Sequence, residues 1–243
     1  MAFDLNSISK GKAIKAPRVM IYGVHGSGKS TFAASAPNPI VIQTEDGLGS
    51  LEVARFPLAK SSGDVVDAIG TLYNEKHDFE TVVLDSADWL ENILITEIEE
   101  KYDKKDLDFG KWTLILAEKW RGILDGFSAL RNDKNMCVII IAHSEIKRYE
   151  SPETDAYERF QPKLQTRASS LIQEWSDVVG FVGQKTIIRK SEAKGFDKER
   201  VRATTTGERI LYLTDTPARI GKNRFSMPES ISLDWTTFAS HIK

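Results

Sequence analysis

The sequence predicts an α/β fold: a mainly parallel central sheet flanked by helices, with antiparallel strands added towards the C-terminus. Three observations carry this. Short apolar runs alternate with helix-spaced segments from residue 18 to 142. The run Val138-Ile-Ile-Ile-Ala142 is apolar without interruption, as a strand buried on both faces requires. After residue 176 the pattern changes to short β-type runs separated by turn signals such as Lys194-Gly195 and Thr206-Gly207.

Taken in order, Arg18-Val-Met-Ile-Tyr22 is the first strand, ending at Gly23. Residues 29–36 form a helix stopped before Pro37. Residues 40–43 are the second strand. Val65, Val66, Ile69, Leu72 and Tyr73 place a helix over 63–76. Thr81-Val-Val-Leu84 is the third strand, and helices follow over 87–101 and about 109–131. Val138–Ala142 is the fourth strand. Residues 144–165, polar and holding Pro152 and Pro162, read as a long loop. A helix covers 166–176. Residues 178–183, 186–189, 200–205 and 209–213 are expected as antiparallel strands, and a short helix near 234–242 closes the chain. Residues 1–16 read as a flexible lead-in, residues 17–243 as a single core, and 184–243 as its antiparallel extension.

The 243 residues suffice for one sizeable core, and 41% apolar with 28% charged residues is an ordinary globular composition. A formal net charge of −2 means that any nucleic-acid surface must be local. The single cysteine, Cys137, excludes an internal disulfide and reads as a small core residue. No stretch approaches a membrane span and the N-terminus has no apolar signal region.

The chemistry is concentrated in Gly23-Val24-His25-Gly26-Ser27-Gly28-Lys29-Ser30, which matches the phosphate-loop pattern in full and lies between a predicted strand and a predicted helix. Glycines let backbone N–H groups turn towards phosphate oxygens, and Thr31 continues the cradle. Lys29 is placed to bridge β- and γ-phosphates, and the Ser30 hydroxyl to bind Mg²⁺. Asp85, at the end of the third strand, is the expected acidic partner for that Mg²⁺. Its alternative is a helix-capping role shared with Ser86 and Asp88. Glu45 follows the second strand and is the candidate general base, with Asp46 as fallback. His143 ends the fourth strand, where a polar side chain can sense a γ-phosphate. For each of these the plain alternative is a solvated or backbone-bonded side chain.

Together, Lys29 and Ser30, Glu45, Asp85 and His143 resemble the RecA-type core ATPases over about residues 18–190. Within that group the chain is similar to the short nucleotide-binding proteins of bacteriophage single-strand-annealing systems. The resemblance implies ATP with Mg²⁺ as cofactors, ATP hydrolysis, single-stranded DNA as partner, and assembly into a homo-oligomeric ring or filament. A single-strand DNA-binding protein is a further possible partner, and the location would be cytoplasmic, in the host cytoplasm if phage-encoded. Lys222-Asn223-Arg224 resembles the Lys-x-Arg element of replicative ring helicases, which reaches a neighbour's γ-phosphate. Residues two apart on a strand share a side, so Lys222 and Arg224 can act together. The plain alternative is an exposed basic turn.

The resemblance puts DNA contacts after the fourth strand. Lys147, Arg148, Arg159 and Lys163 lie there among Tyr149, Tyr157 and Phe160, a mixture that suits a single strand. Five acidic residues balance that charge. Residues 184–202 are more basic, and Lys185, Arg189 and Lys190 are the expected phosphate contacts. The expected function is therefore a DNA-stimulated ATPase in recombination, annealing or repair. The alternatives are a helicase-like ring motor and a non-catalytic ATP-binding regulator. The sequence holds neither an arginine-rich lid, as a small-molecule kinase would, nor the Asn-Lys-x-Asp guanine reader of a GTPase.

Overall fold

The structure, a computed structural model, describes Lys10 and residues 15–152, 155–191 and 200–242, with side chains left aside at 186–191 and 200–205. Most of the expected lead-in over 1–16 lies outside the described residues. The elements run β1 (Arg18–Gly23), α1 (Lys29–Ala34), β2 (Pro39–Gln43), β3 (Ala54–Arg55), α2 (Ser62–Asn74), β4 (Thr81–Asp85), α3 (Ala87–Lys101), α4 (Lys104–Leu107) and α5 (Lys111–Lys134). They continue with β5 (Cys137–Tyr149), β6 (Tyr157–Pro162), α6 (Thr166–Trp175), β7 (Val178–Ser191), β8 (Arg200–Tyr212), β9 (Lys222–Asn223), β10 (Ser230–Ser232) and α7 (Trp235–Ser240).

The sheet order is β10-β8-β7-β1-β5-β4-β2-β3, with β6 paired to β5 and β9 to β7. From β7 to β3 every neighbouring pair is parallel. The mixed α/β architecture with C-terminal antiparallel strands is thus the one that the sequence predicts. Alternate residues of the strands feed two cores. Met20, Tyr22, Ile42, Leu84 and Ile140 face α2, α3, α5 and α6. Val19, Ile21, Val41, Val83 and Ile139 face Phe32 and Phe238, from α1 and α7. Cys137 is buried, and burial pushes its thiol up to about 12, so it is an inert core residue.

Three expectations change. The segment 144–165 is not a loop: β5 continues through Tyr149 and returns as β6, an antiparallel hairpin from Ser144–Pro162 to Tyr149–Tyr157. Segment 178–183 runs parallel to β1, so it joins the parallel strands before it turns antiparallel to β8. The four short runs after residue 176 merge into two long strands, with one irregularity between Gln184 and Thr186.

Buried Glu91 of α3 ties this face together. It accepts hydrogen bonds from Trp120 Nε1 at 3.3 Å and from the backbone N–H of Gln165 at 2.7 Å. Burial raises its carboxyl to about 7. The folded protein therefore holds this proton across a pH range in which the unfolded chain, near 4.5, has lost it. The stabilisation is present in acid and disappears as pH rises towards 7. Glu91→Gln, fixed neutral, is expected to gain about 3 kcal/mol on the wild type between pH 4.5 and pH 8. Urea unfolding at the two pH values measures this, and parallel pH dependence of the two proteins would contradict it.

Candidate functional site

The carboxyl ends of β1, β2, β4 and β5 converge at one edge of the sheet, where open α/β sheets bind ligands. Gly23 lies in register with His143 on one side and Val182 on the other. A Cβ on Gly23 would lie 2.5 Å from the Val182 carbonyl oxygen, so the turn leaving β1 has room for glycine alone. Gly28 has φ 101°, a left-handed conformation that a side chain would strain. From this turn the chain enters α1 at Lys29.

Lys29 is buried, and its Nζ donates to the carbonyls of Gly23 and Val24, both at 2.9 Å. Burial lowers its ammonium below the ordinary value, against the opposing charges of Asp85, Asp88 and Glu45. Ser30 Oγ donates to Asp85 Oδ2 at 2.7 Å. Burial raises the Asp85 carboxyl, offset in part by that hydrogen bond and by Lys29. The Ser27 hydroxyl is buried and, among the described residues, has no hydrogen-bond partner. It lines the same cleft as His25, Lys29, Ser30, Thr31, Asp85 and His143, which has a volume of about 280 Å³.

These groups fit a magnesium-bound triphosphate. A hydroxyl and a carboxylate already lie 2.7 Å apart, and the Lys29 ammonium lies in the same cleft. Among the described residues no group of three or more His, Cys, Asp or Glu forms a metal cluster. Mg²⁺ bound through one carboxylate needs none, because phosphate oxygens and water complete its shell.

Beside the loop sits a second cluster. His143 Nδ1 is 2.9 Å from Asp88 Oδ2, and the His143 backbone N–H donates to Asp88 Oδ1 at 2.9 Å. Asp88 is therefore a clamp on His143 rather than the helix cap that its position in sequence allows. Burial would raise the Asp88 carboxyl, but the hydrogen bonds and charge of His143 hold it below the ordinary value. The clamp turns His143 Nε2 towards Glu45, 3.9 Å from Oε1, and the His25 ring packs on His143 with centroids 4.0 Å apart. The charge of His143, then burial, lowers His25. Burial raises Glu45, partly countered by His143. Thr44 fixes the adjacent backbone: its Oγ1 donates to the Ser86 carbonyl at 2.7 Å and accepts from the Ser86 N–H at 2.9 Å. The structure thus brings Lys29, Ser30, Glu45, Asp85 and His143 to one cleft.

It does not bring Lys222 and Arg224 there. Both lie at the opposite edge, where β9 pairs with Val178 and Val179 at the start of β7. Val178 lies opposite Val19, so four strand steps along β1, about 13 Å, separate that edge from Gly23. Lys222 Nζ donates to the carbonyls of Gln173 and Glu174 at the end of α6, a lysine capping a helix C-terminus. Arg224 pairs with Asp177, which also holds Arg18 and Arg131. The Lys-x-Arg spacing here serves internal contacts.

The expected DNA residues divide. Arg148 is exposed and pairs with Glu150, Lys163 is exposed, and Lys185 forms an exposed pair with Glu208. Lys147 pairs with Glu145. Arg159 is not on the open surface: its guanidinium packs 4.9 Å from the Tyr149 ring centroid and 3.7 Å from Asp215. Arg189 and Lys190 lie on β7, but their side chains are outside the described residues, as are Lys194 and Lys198. Sequence reasoning missed two features. One is Arg209, which lines the cleft at Gly28. The other is a second hollow beside Val24, lined by Phe160, Phe181, Tyr212 and Arg219. There Phe160 stacks on Phe181 at 4.8 Å, and Arg219 lies 3.7 Å over Tyr212.

A family model described as an AAA domain matches residues 15–225. No curated protein matches the sequence. A solved structure described as the crystal structure of the RadB recombinase is similar, with 13% identity and a TM-score of 0.45 over 82% of this chain and 81% of that one. Matched over most of its length, the chain belongs to the AAA domain family.

Proposed function

We propose that this chain is a RecA-like ATPase that binds single-stranded DNA and acts in recombination, annealing or repair, as part of a homo-oligomer. The observation that carries the reading is the convergence of Lys29, the Ser30–Asp85 pair and Glu45 on one cleft. When bound, Mg²⁺ would be held by Ser30 and Asp85 and would neutralise phosphate charge. Lys29 exchanges its carbonyl contacts for phosphate oxygens. Glu45 orients and deprotonates the attacking water. His143, fixed by Asp88 through Nδ1, turns Nε2 towards Glu45 on the same side of the loop and couples the site to β5, which leads directly into the hairpin.

Support for a single-stranded partner comes from the surface beside that hairpin. The hollow offers the partly exposed rings of Phe160 and Tyr212 with the Arg219 guanidinium, on a floor of buried Phe181, and Arg148 and Lys163 offer exposed cations. The hollow borders Val24 of the phosphate loop, so strand and nucleotide would sit close together. Phe109, wholly exposed at φ 55°, and half-exposed Leu114 give apolar side chains to contacts between copies. For the ring-motor alternative, Lys222 is engaged at the end of α6, while Arg224 pairs with Asp177 through a side chain that stays half-exposed. Phosphate release from Mg·ATP at low salt, with and without single-stranded DNA, tests the reading. Stimulation by DNA is the expected result. Absence of both stimulation and DNA binding would overturn it.

A further inference from the structure

We infer that Arg209 anchors the α- and β-phosphates of the bound nucleotide from within the same chain, and so sets affinity for nucleoside di- and triphosphates alike. The inference rests on the nucleotide reading above. Arg209 lies on β8 opposite Gln184 of β7, two residues beyond the Val182 that faces Gly23. The backbone N–H of Leu233 donates to the Arg209 carbonyl at 3.0 Å and fixes this level of the strand. The side chain then reaches over the phosphate loop. A Cβ on Gly28 would lie 2.8 Å from Arg209 Nη1 and 3.1 Å from its Cδ. The guanidinium thus lies against the last loop glycine before Lys29, and it lines the cleft with Ser30 and Thr31.

Two features make this a ligand contact rather than a packing contact. Arg148, Arg159 and Arg224 are each paired with a carboxylate, whereas among the described residues none pairs with Arg209. A planar fork of donors on a phosphate cradle matches phosphate oxygens two at a time. The side of approach then decides which phosphates. Glu45, Asp85 and His143 reach the loop from the β5, β4 and β2 side of β1. Arg209 arrives from the β7 and β8 side. Backbone N–H groups at this end of a phosphate loop hold α- and β-phosphates, with the lysine reaching towards γ. Arg209 therefore serves the nucleoside end, and it differs in place and role from a γ-phosphate finger supplied by a neighbour.

The test is a set of equilibrium titrations of the full chain with ADP, ATPγS and inorganic tripolyphosphate, for wild type, Arg209→Ala and Arg209→Lys at one ionic strength. Arg209→Ala is expected to weaken all three by a similar factor, about 10- to 100-fold, with partial recovery in Arg209→Lys. An unchanged thermal midpoint without nucleotide shows that the variant is folded. Unchanged affinities in a folded Arg209→Ala would overturn the assignment. So would a loss confined to ATPγS, which marks a γ-phosphate role, or one that spares tripolyphosphate, which marks contact with the base. Failure of the wild type to bind any of the three would instead overturn the nucleotide reading itself.

Discussion

Lys29→Ala is expected to reduce phosphate release from Mg·ATP to background and to weaken nucleotide binding by at least about 100-fold. The magnitude follows from where the ammonium sits. Lys29 is buried at the start of α1 and bonded to two loop carbonyls. Its charge is already disfavoured by burial, as its lowered pKa records. A triphosphate brings negative charge to a cation that water solvates poorly, so the interaction is strong. Alanine removes the cation and leaves the carbonyls of Gly23 and Val24 without their donor. Phosphate release by wild type and variant side by side measures the effect. Wild-type turnover in the variant would overturn the whole scheme.

Glu45→Gln is expected to keep nucleotide binding and to lower turnover by about 10²- to 10⁴-fold, the usual contribution of a positioned general base. The amide retains size and hydrogen bonding but cannot take a proton. The pH dependence gives a second signature. Burial raises the Glu45 carboxyl, so the wild-type rate is expected to fall as pH drops through a value above the ordinary carboxylate range. The variant loses that acid limb. A pH–rate profile with an unchanged acid limb in Glu45→Gln would move the base elsewhere.

The parallel sheet was legible because its strands are short, apolar and buried on both faces, and each has a helix-spaced partner. The phosphate loop was legible because its spacing is a local property of eight residues. Asp85 and Glu45 followed from their places at strand ends. The hairpin over 144–162 was hidden because neither of its faces is plainly apolar. Tyr149, Tyr157 and Arg159 pack through rings and a guanidinium rather than aliphatic side chains. For Lys222 and Arg224, spacing shows that two side chains share a side, and says nothing of what lies there. A helix end and the Asp177 carboxylate occupy them. Asp88 and Arg209 depended on contacts 55 and about 180 residues apart in sequence, between elements that only the sheet order brings together. No window of sequence contains such a signal.

Calorimetric titration of the wild-type chain with ATPγS in the presence of Mg²⁺ tests the central claim most directly. One saturable site per chain is the predicted result, with the heat absent in Lys29→Ala. No saturable heat in the wild type, or the same heat in both proteins, would contradict a nucleotide site built on Gly23–Ser30.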